Sequence, residues 1–169
     1  QLILNAIENG SFPGANYAVV TKDKVWMGSL GNKEVYPNVV ENNIDTIYDM
    51  ASLTKVICTT TCIMQLVEKG LLRIYDPVVR YLPDFKFSNI TVWNLMTHTS
   101  GLPEGIYGPK DKMNTSDVWD VIYNKVDLKF EPGSKIVYSD INYIILGKLV
   151  EILTGLTIEG YNINFNSEV

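Results

Sequence analysis

Apolar positions along the chain follow two periods in turn. Asn16–Thr21 (NYAVVT) and Val25–Leu30 (VWMGSL) are short runs rich in β-branched and aromatic residues, joined by the polar triplet Lys22-Asp23-Lys24. Two such runs about a short polar turn predict an antiparallel hairpin. Residues 1–9 (QLILNAIEN) read as a helix end stopped by Gly10, and residues 31–49 as polar loop with a short strand near Val35. From Ala51 the pattern turns helical. No charge occurs between Val56 and Val67, which predicts a helix buried on nearly every side, capped by Ser52 and closed by Gly70. Its β-branched run Val56, Ile57, Thr59, Thr60, Thr61 has poor helix propensity, so it needs tertiary packing.

Shorter helices follow. Asp76 and Pro77 suit N-cap and N1 of a helix over PVVRYL, and TVWNLMT (91–97) continues helically to the Thr99-Ser100-Gly101 break. Residues 101–114 form a Gly- and Pro-rich loop, Ser116-Asp117 caps a helix through Asn124, and Glu131-Pro132-Gly133-Ser134 is a turn. Asp140 starts an amphipathic helix with Ile141, Ile144, Ile145, Leu149 and Ile152 in phase, ended by Gly155. Two strands near the N-terminus against a helical remainder predict an α+β chain. We expect a single partial domain over 1–169, with the hairpin in 1–50 and the helical region in 51–169.

Composition narrows the function. The 169 residues carry a net charge of −5, so no basic field is available for nucleic acid or an anionic membrane. One histidine and two cysteines exclude a His-rich or Cys-rich metal site, and no cofactor motif is present. No apolar run approaches the ~20 residues of a transmembrane helix. The absence of a visible signal peptide assigns no compartment. Cys58 and Cys62 stand four apart, a spacing that suits core packing better than a disulfide.

Ser52-Leu53-Thr54-Lys55 places a serine at a helix start with a lysine one turn on, on the same face. Helix N-terminal N–H groups favour developing negative charge, and a desolvated lysine there can take a serine proton. With nine serines and twelve lysines, chance supplies about 0.6 such matches, so the motif by itself carries little weight. Tyr138-Ser139-Asp140, just before the amphipathic helix, is the second candidate. By itself it reads as an N-cap beside a half-buried aromatic. Gly28-Ser29-Leu30-Gly31 is no nucleophile elbow, because Met27 occupies the first glycine position.

Taken together, six segments give the chain a family resemblance. They are FPGANYAVV (12–20), DMASLTK (49–55), LVEKGLLRIYDPVVRYLP (66–83), ITVWNLMTHTSGLP (90–103), FEPGSKIVYSDINYIILG (130–147) and KLVEILTG (148–155). In this order and spacing the chain resembles the serine β-lactamase and penicillin-binding-protein superfamily, on its class C β-lactamase and esterase side. Ser-x-x-Lys is a stock motif of that superfamily. The resemblance implies Ser52 as the acylated nucleophile, Lys55 as its proton-accepting partner and Tyr138 as a proton shuttle. Asp140 stands where many members have asparagine, and a carboxylate there favours the Lys55 ammonium. His98 invites a Ser-His-Asp reading, but LMTHTSGLP is a structural turn in the family, which implies a structural role.

The resemblance stops near Tyr161, and the chain holds no Lys-Thr-Gly-type motif. This implies the N-terminal half of a β-lactamase/transpeptidase-like fold, with the C-terminal sheet strands absent. The implied activity is a serine hydrolase acting on a β-lactam, a D-alanyl peptide or an ester. One alternative is an inactive half-domain that pairs with itself or a complementary chain. The other is a penicillin- or peptide-sensing module. We further expect Ser52 at the helix start with Lys55 Nζ in reach, the Tyr138 hydroxyl at the same point, and Asp140 capping its helix while contacting Lys55.

Overall fold

The computed structural model describes residues 1–106 and 113–161. The chain forms two compact units, Gln1–Met50 and Ala51–Val169.

The first unit holds α1 (Leu2–Glu8) and a three-stranded antiparallel sheet in the order β1-β2-β3. The hairpin forms from β1 (Gly14–Val20) and β2 (Val25–Glu34), in a register that pairs Val20 with Val25 and Tyr17 with Gly28. Thr21 closes its turn: the Thr21 N–H donates to the Lys24 carbonyl at 2.8 Å, and the Lys24 N–H donates to Thr21 Oγ1 at 3.1 Å. The short strand expected near Val35 is instead the end of β2, which runs on to Glu34; the third strand, β3, is Val40–Glu41.

Among the described residues the buried apolar core lies between Cys62 and Val150, within the second unit. Its centre is α5 (Asp140–Thr154), which packs on α3 (Val92–Met96) and on α2 (Thr61–Glu68). On α5 two four-residue stripes, Ile141/Ile145/Leu149 and Asn142/Leu146/Val150, are all buried, as one broad helix face requires. Gly155 ends the helix with φ +72°, a left-handed conformation glycine adopts at little cost. Ile145→Ala removes a side chain with 0% exposure. It is expected to cost about 2–5 kcal/mol of a total stability near 5–15 kcal/mol, read from urea unfolding.

The uncharged segment departs from the all-round burial its sequence predicts. Cys62, Ile63 and Leu66 are buried, but Leu53, Val56 and Ile57 are each 55% exposed and Met64 is 49% exposed. The segment also starts as a wide π-helical turn, Lys55–Thr60, before α2. Its threonines explain the winding: Thr60 Oγ1 donates to the Lys55 carbonyl at 2.8 Å and Thr61 Oγ1 to the Val56 carbonyl at 3.4 Å. Side-chain hydroxyls thus take carbonyls that an α-helical ladder would use.

Three caps differ from expectation by one or two residues. Pro77 is the residue before the short 3₁₀ turn Val78–Arg80, while Asp76 accepts from the Tyr81 hydroxyl at 2.7 Å. Asn114 rather than Ser116 caps α4 (Thr115–Asp120), and a π-helical turn, Val121–Lys125, completes that helix. Ser139, not Asp140, is the N-cap residue of α5.

Candidate active site

Ser52 sits at the start of the π-helical segment on a tight turn. Ala51 has φ +43°, the Thr54 N–H reaches the Ala51 carbonyl at 3.1 Å, and the Lys55 N–H reaches the Ser52 carbonyl at 3.1 Å. The expected side-chain cap is not made. Ser52 Oγ instead accepts from Lys55 Nζ at 3.3 Å and from the Tyr138 hydroxyl at 2.9 Å. A hydroxyl not committed to a backbone N–H is available for chemistry.

The extended segment before α5 carries Tyr138, and the loop after α3 holds it there. The Gly133 N–H donates to the Thr99 carbonyl at 2.7 Å, Val137 to the His98 carbonyl at 2.8 Å, and Asp140 to the Glu104 carbonyl at 2.8 Å. Ser139 Oγ donates to the Pro103 carbonyl at 2.5 Å, and the Ser139 N–H donates to His98 Nδ1 at 3.1 Å. Gly101 makes the loop fit: its φ is +81°, and a Cβ there would collide with the Phe130 carbonyl oxygen.

Asp140 Oδ1 lies 2.8 Å from Lys55 Nζ, with side-chain exposures of 58% and 17% respectively. The expected contact with Lys55 is present, while the N-cap position of α5 is occupied by Ser139, whose side chain makes no cap hydrogen bond. The Lys55 ammonium also lies 5.1 Å from the Tyr138 ring centre and 5.9 Å from that of Tyr143.

Burial pulls the Lys55 pKa down, but the hydrogen bonds and charges of Asp140 and Tyr138 outweigh it and leave the group above its ordinary 10.5. The ammonium is therefore favoured in the folded chain. Its contribution to stability is present below about pH 10.5 and is lost as pH rises through the raised value. Tyr138 is held below its ordinary 10.0 by the hydrogen bonds of Ser52 and then Lys55, against the opposing effect of the Asp140 charge. Asp140→Asn removes the partner that most favours the ammonium. It is expected to lower the Lys55 pKa, seen as an earlier NMR titration midpoint of the lysine ε-methylene; an unmoved midpoint would show that the pair is not coupled.

Two neighbours of the site, Asn142 and Tyr143, escape the reading of the sequence, and a third, His98, is read there only as structural. His98 stacks on Tyr138 and Tyr143, with ring centres 4.5 and 5.2 Å apart. Asn142 is fully buried; its Nδ2 is 3.2 Å from His98 Nδ1 and its Oδ1 accepts from Ser100 Oγ at 2.7 Å. The Tyr143 hydroxyl donates to the Met96 carbonyl at 3.2 Å and meets Thr60 Oγ1 at 3.3 Å. The available signal was the phase of α5: Asn142 shares the buried Leu146/Val150 stripe, an unusual place for a polar side chain without a partner.

Ser52, Lys55, Asp140 and Tyr143 line a cleft of about 730 Å³ that extends past Trp119, Lys148 and Glu151. Among the described residues no cluster of His, Cys, Asp and Glu has the makings of a metal site. Cys58 and Cys62 are both free thiols; burial pushes the Cys62 thiol up to about 11.

A family model described as Beta-lactamase matches residues 1–161. The chain is similar to the N-acetylmuramyl-L-alanine amidase of Bacillus subtilis (strain 168), 31% identical over 183 aligned positions covering 95% of this chain and 41% of the relative. It is also similar to a provisionally named D-alanyl-D-alanine carboxypeptidase of Salmonella agona (strain SL483), at 30% identity over 94% of this chain and 42% of that protein. A solved class C beta-lactamase in complex with cefoxitin superposes with a TM-score of 0.80 at 25% identity, covering 94% of this chain and 44% of that one. The chain thus spans about two fifths of the length of the curated relatives it matches.

Proposed function

Because the chain belongs to the beta-lactamase family, we propose that it is a serine hydrolase working through an acyl-enzyme on Ser52. One observation carries this reading: the Tyr138 hydroxyl and Lys55 Nζ converge on Ser52 Oγ, at 2.9 and 3.3 Å. Proton transfer needs that reach. Ser52 Oγ bonds to a carbonyl carbon as its proton passes to Tyr138 in its phenolate form, and the phenol so formed gives that proton to the departing amine or alkoxide, which restores the phenolate. Water then cleaves the resulting ester.

The division of labour departs from the one the family resemblance implied. An ammonium favoured by Asp140 is a poor base, so Lys55 serves here as a fixed positive charge. That charge and the Ser52 hydrogen bond lower the Tyr138 pKa, which favours the phenolate, the form able to accept the Ser52 proton. Asp140 holds Lys55 in place. The substrate class is an acyl donor of the β-lactam, D-alanyl peptide or ester kind, the first two in keeping with the names of the relatives.

Intact-mass spectrometry after incubation with a fluorescent penicillin or a fluorophosphonate tests the proposal. The expected result is a single adduct that maps to Ser52; no adduct with either probe overturns it. A stable adduct without product release would mark a sensing module instead. The exposed stripe Leu53, Val56, Ile57 and Met64 favours a second reading, a chain that pairs with itself or another chain without turnover. Sedimentation of the unlabelled chain separates the two: a stable monomer argues against pairing.

A further inference from the structure

We infer that His98 is a positioning residue for Tyr138, gripping the chain on both sides of it so that its hydroxyl meets Ser52, and that protonation of the His98 ring releases this grip. The inference rests on the reading that Tyr138 serves Ser52.

The grip is made by one residue at three points. The His98 carbonyl accepts from the Val137 N–H at 2.8 Å, His98 Nδ1 accepts from the Ser139 N–H at 3.1 Å, and the ring lies against the intervening Tyr138 ring at 4.5 Å between centres. This requires the His98 backbone to adopt φ +57°, a conformation that costs energy in a residue with a Cβ. Among the described residues only Ala51 and His98 are non-glycine residues with positive φ, and they flank Ser52 and Tyr138 respectively. A turn needing only the conformation could be built with glycine or asparagine. A histidine there supplies the acceptor and the ring as well.

The grip depends on the charge of the ring. Nδ1 faces two N–H donors, the Ser139 backbone and Asn142 Nδ2, so it presents a lone pair and the neutral ring carries its proton on Nε2. Turning the Asn142 amide to bring its oxygen to Nδ1 would give up the hydrogen bond that Oδ1 accepts from Ser100 Oγ at 2.7 Å. A backbone N–H cannot turn at all. Protonation at Nδ1 sets donor against donor and breaks the Ser139 contact. The charged groups acting on the ring are Lys55 on the π-helical turn and Asp140 on α5; Tyr138 and Tyr143 are the titratable groups beside it. Burial and the Lys55 charge hold the ring neutral to below its ordinary 6.5, against the pull of Asp140. The grip therefore holds at neutral pH and is lost as pH falls below about 6.5.

His98 is the chain's only histidine, so its imidazole nitrogens give isolated NMR signals in the full chain. The expected spectrum has Nδ1 unprotonated at pH 7.5 and a midpoint below 6.5, with the Tyr138 ring signals moving at the same midpoint. A proton on Nδ1 at pH 7.5, or Tyr138 signals indifferent to the His98 titration, overturns the inference. Variants supply the second arm. His98→Phe keeps a ring without an acceptor and is expected to slow Ser52 acylation about tenfold at pH 7.5, the scale of one lost hydrogen bond. His98→Asn tolerates the backbone and keeps an acceptor. It should recover most of that loss and abolish the inflection assigned to His98. Equal losses in both variants, with Tyr138 signals unmoved, would reduce His98 to a turn residue. If the wild-type chain acylates at no pH, the reading of the Ser52 site fails, while the NMR arm still decides the role of His98.

Discussion

Ser52→Ala is expected to abolish covalent labelling, with a fall of about 10⁴-fold or more in any acyl-transfer rate. The reason is local. Ser52 Oγ is the point on which Lys55 and Tyr138 converge. The same substitution should leave the fold intact. Ser52 is exposed and its hydroxyl caps no helix, so the change in stability is expected within about 0.5 kcal/mol. Intact-mass spectrometry and a thermal melt on the same sample read both. Undiminished labelling of the alanine variant would place the nucleophile elsewhere.

Tyr138→Phe is expected to have the next largest effect, a loss of about 10²–10⁴-fold in the rate of Ser52 acylation. The ring that stacks on His98 is kept, and only the hydroxyl that reaches Ser52 is removed. Two consequences separate this from general damage. The phenol also favours the Lys55 ammonium, so the Lys55 pKa should fall in the variant. The half-exposed ring contributes no fully buried surface, so the melting temperature should hardly move. Stopped-flow labelling over a pH series measures the rate. A loss below about threefold at every pH would return the role of base to Lys55.

These effects rest on features that differ in how far the sequence displays them. The pairing of Ser52 with Lys55 is visible in the chain because three residues make one helical turn, and the structure keeps the pair within reach although the turn is not the expected capped α-helix. The resemblance across six segments brings Tyr138 into the same site, and its hydroxyl lies 86 residues from Ser52 along the chain. By itself, Tyr138-Ser139-Asp140 looks like any helix start. Asp140 is legible in the sequence as a carboxylate that favours the Lys55 ammonium, whereas the balance of burial, hydrogen bonds and charge around that lysine is not. That balance turns on a 2.8 Å contact with Asp140, a distance no spacing reveals.

What the sequence determined by itself is what short-range physics encodes. The hairpin follows from two β-rich runs about a polar triplet, and α5 follows from a four-residue apolar repeat closed by Gly155. Both signals act within a few residues, where backbone geometry leaves few choices. The tertiary structure decided the rest. It exposed one side of an uncharged helix, wound its first turn around threonine hydroxyls, and set caps one or two residues from their expected places. It also set His98 against Tyr138, by laying the loop after α3 along the segment before α5. Those outcomes depend on which segments meet across tens of residues, and that is set by burying the whole core at once rather than by any local pattern.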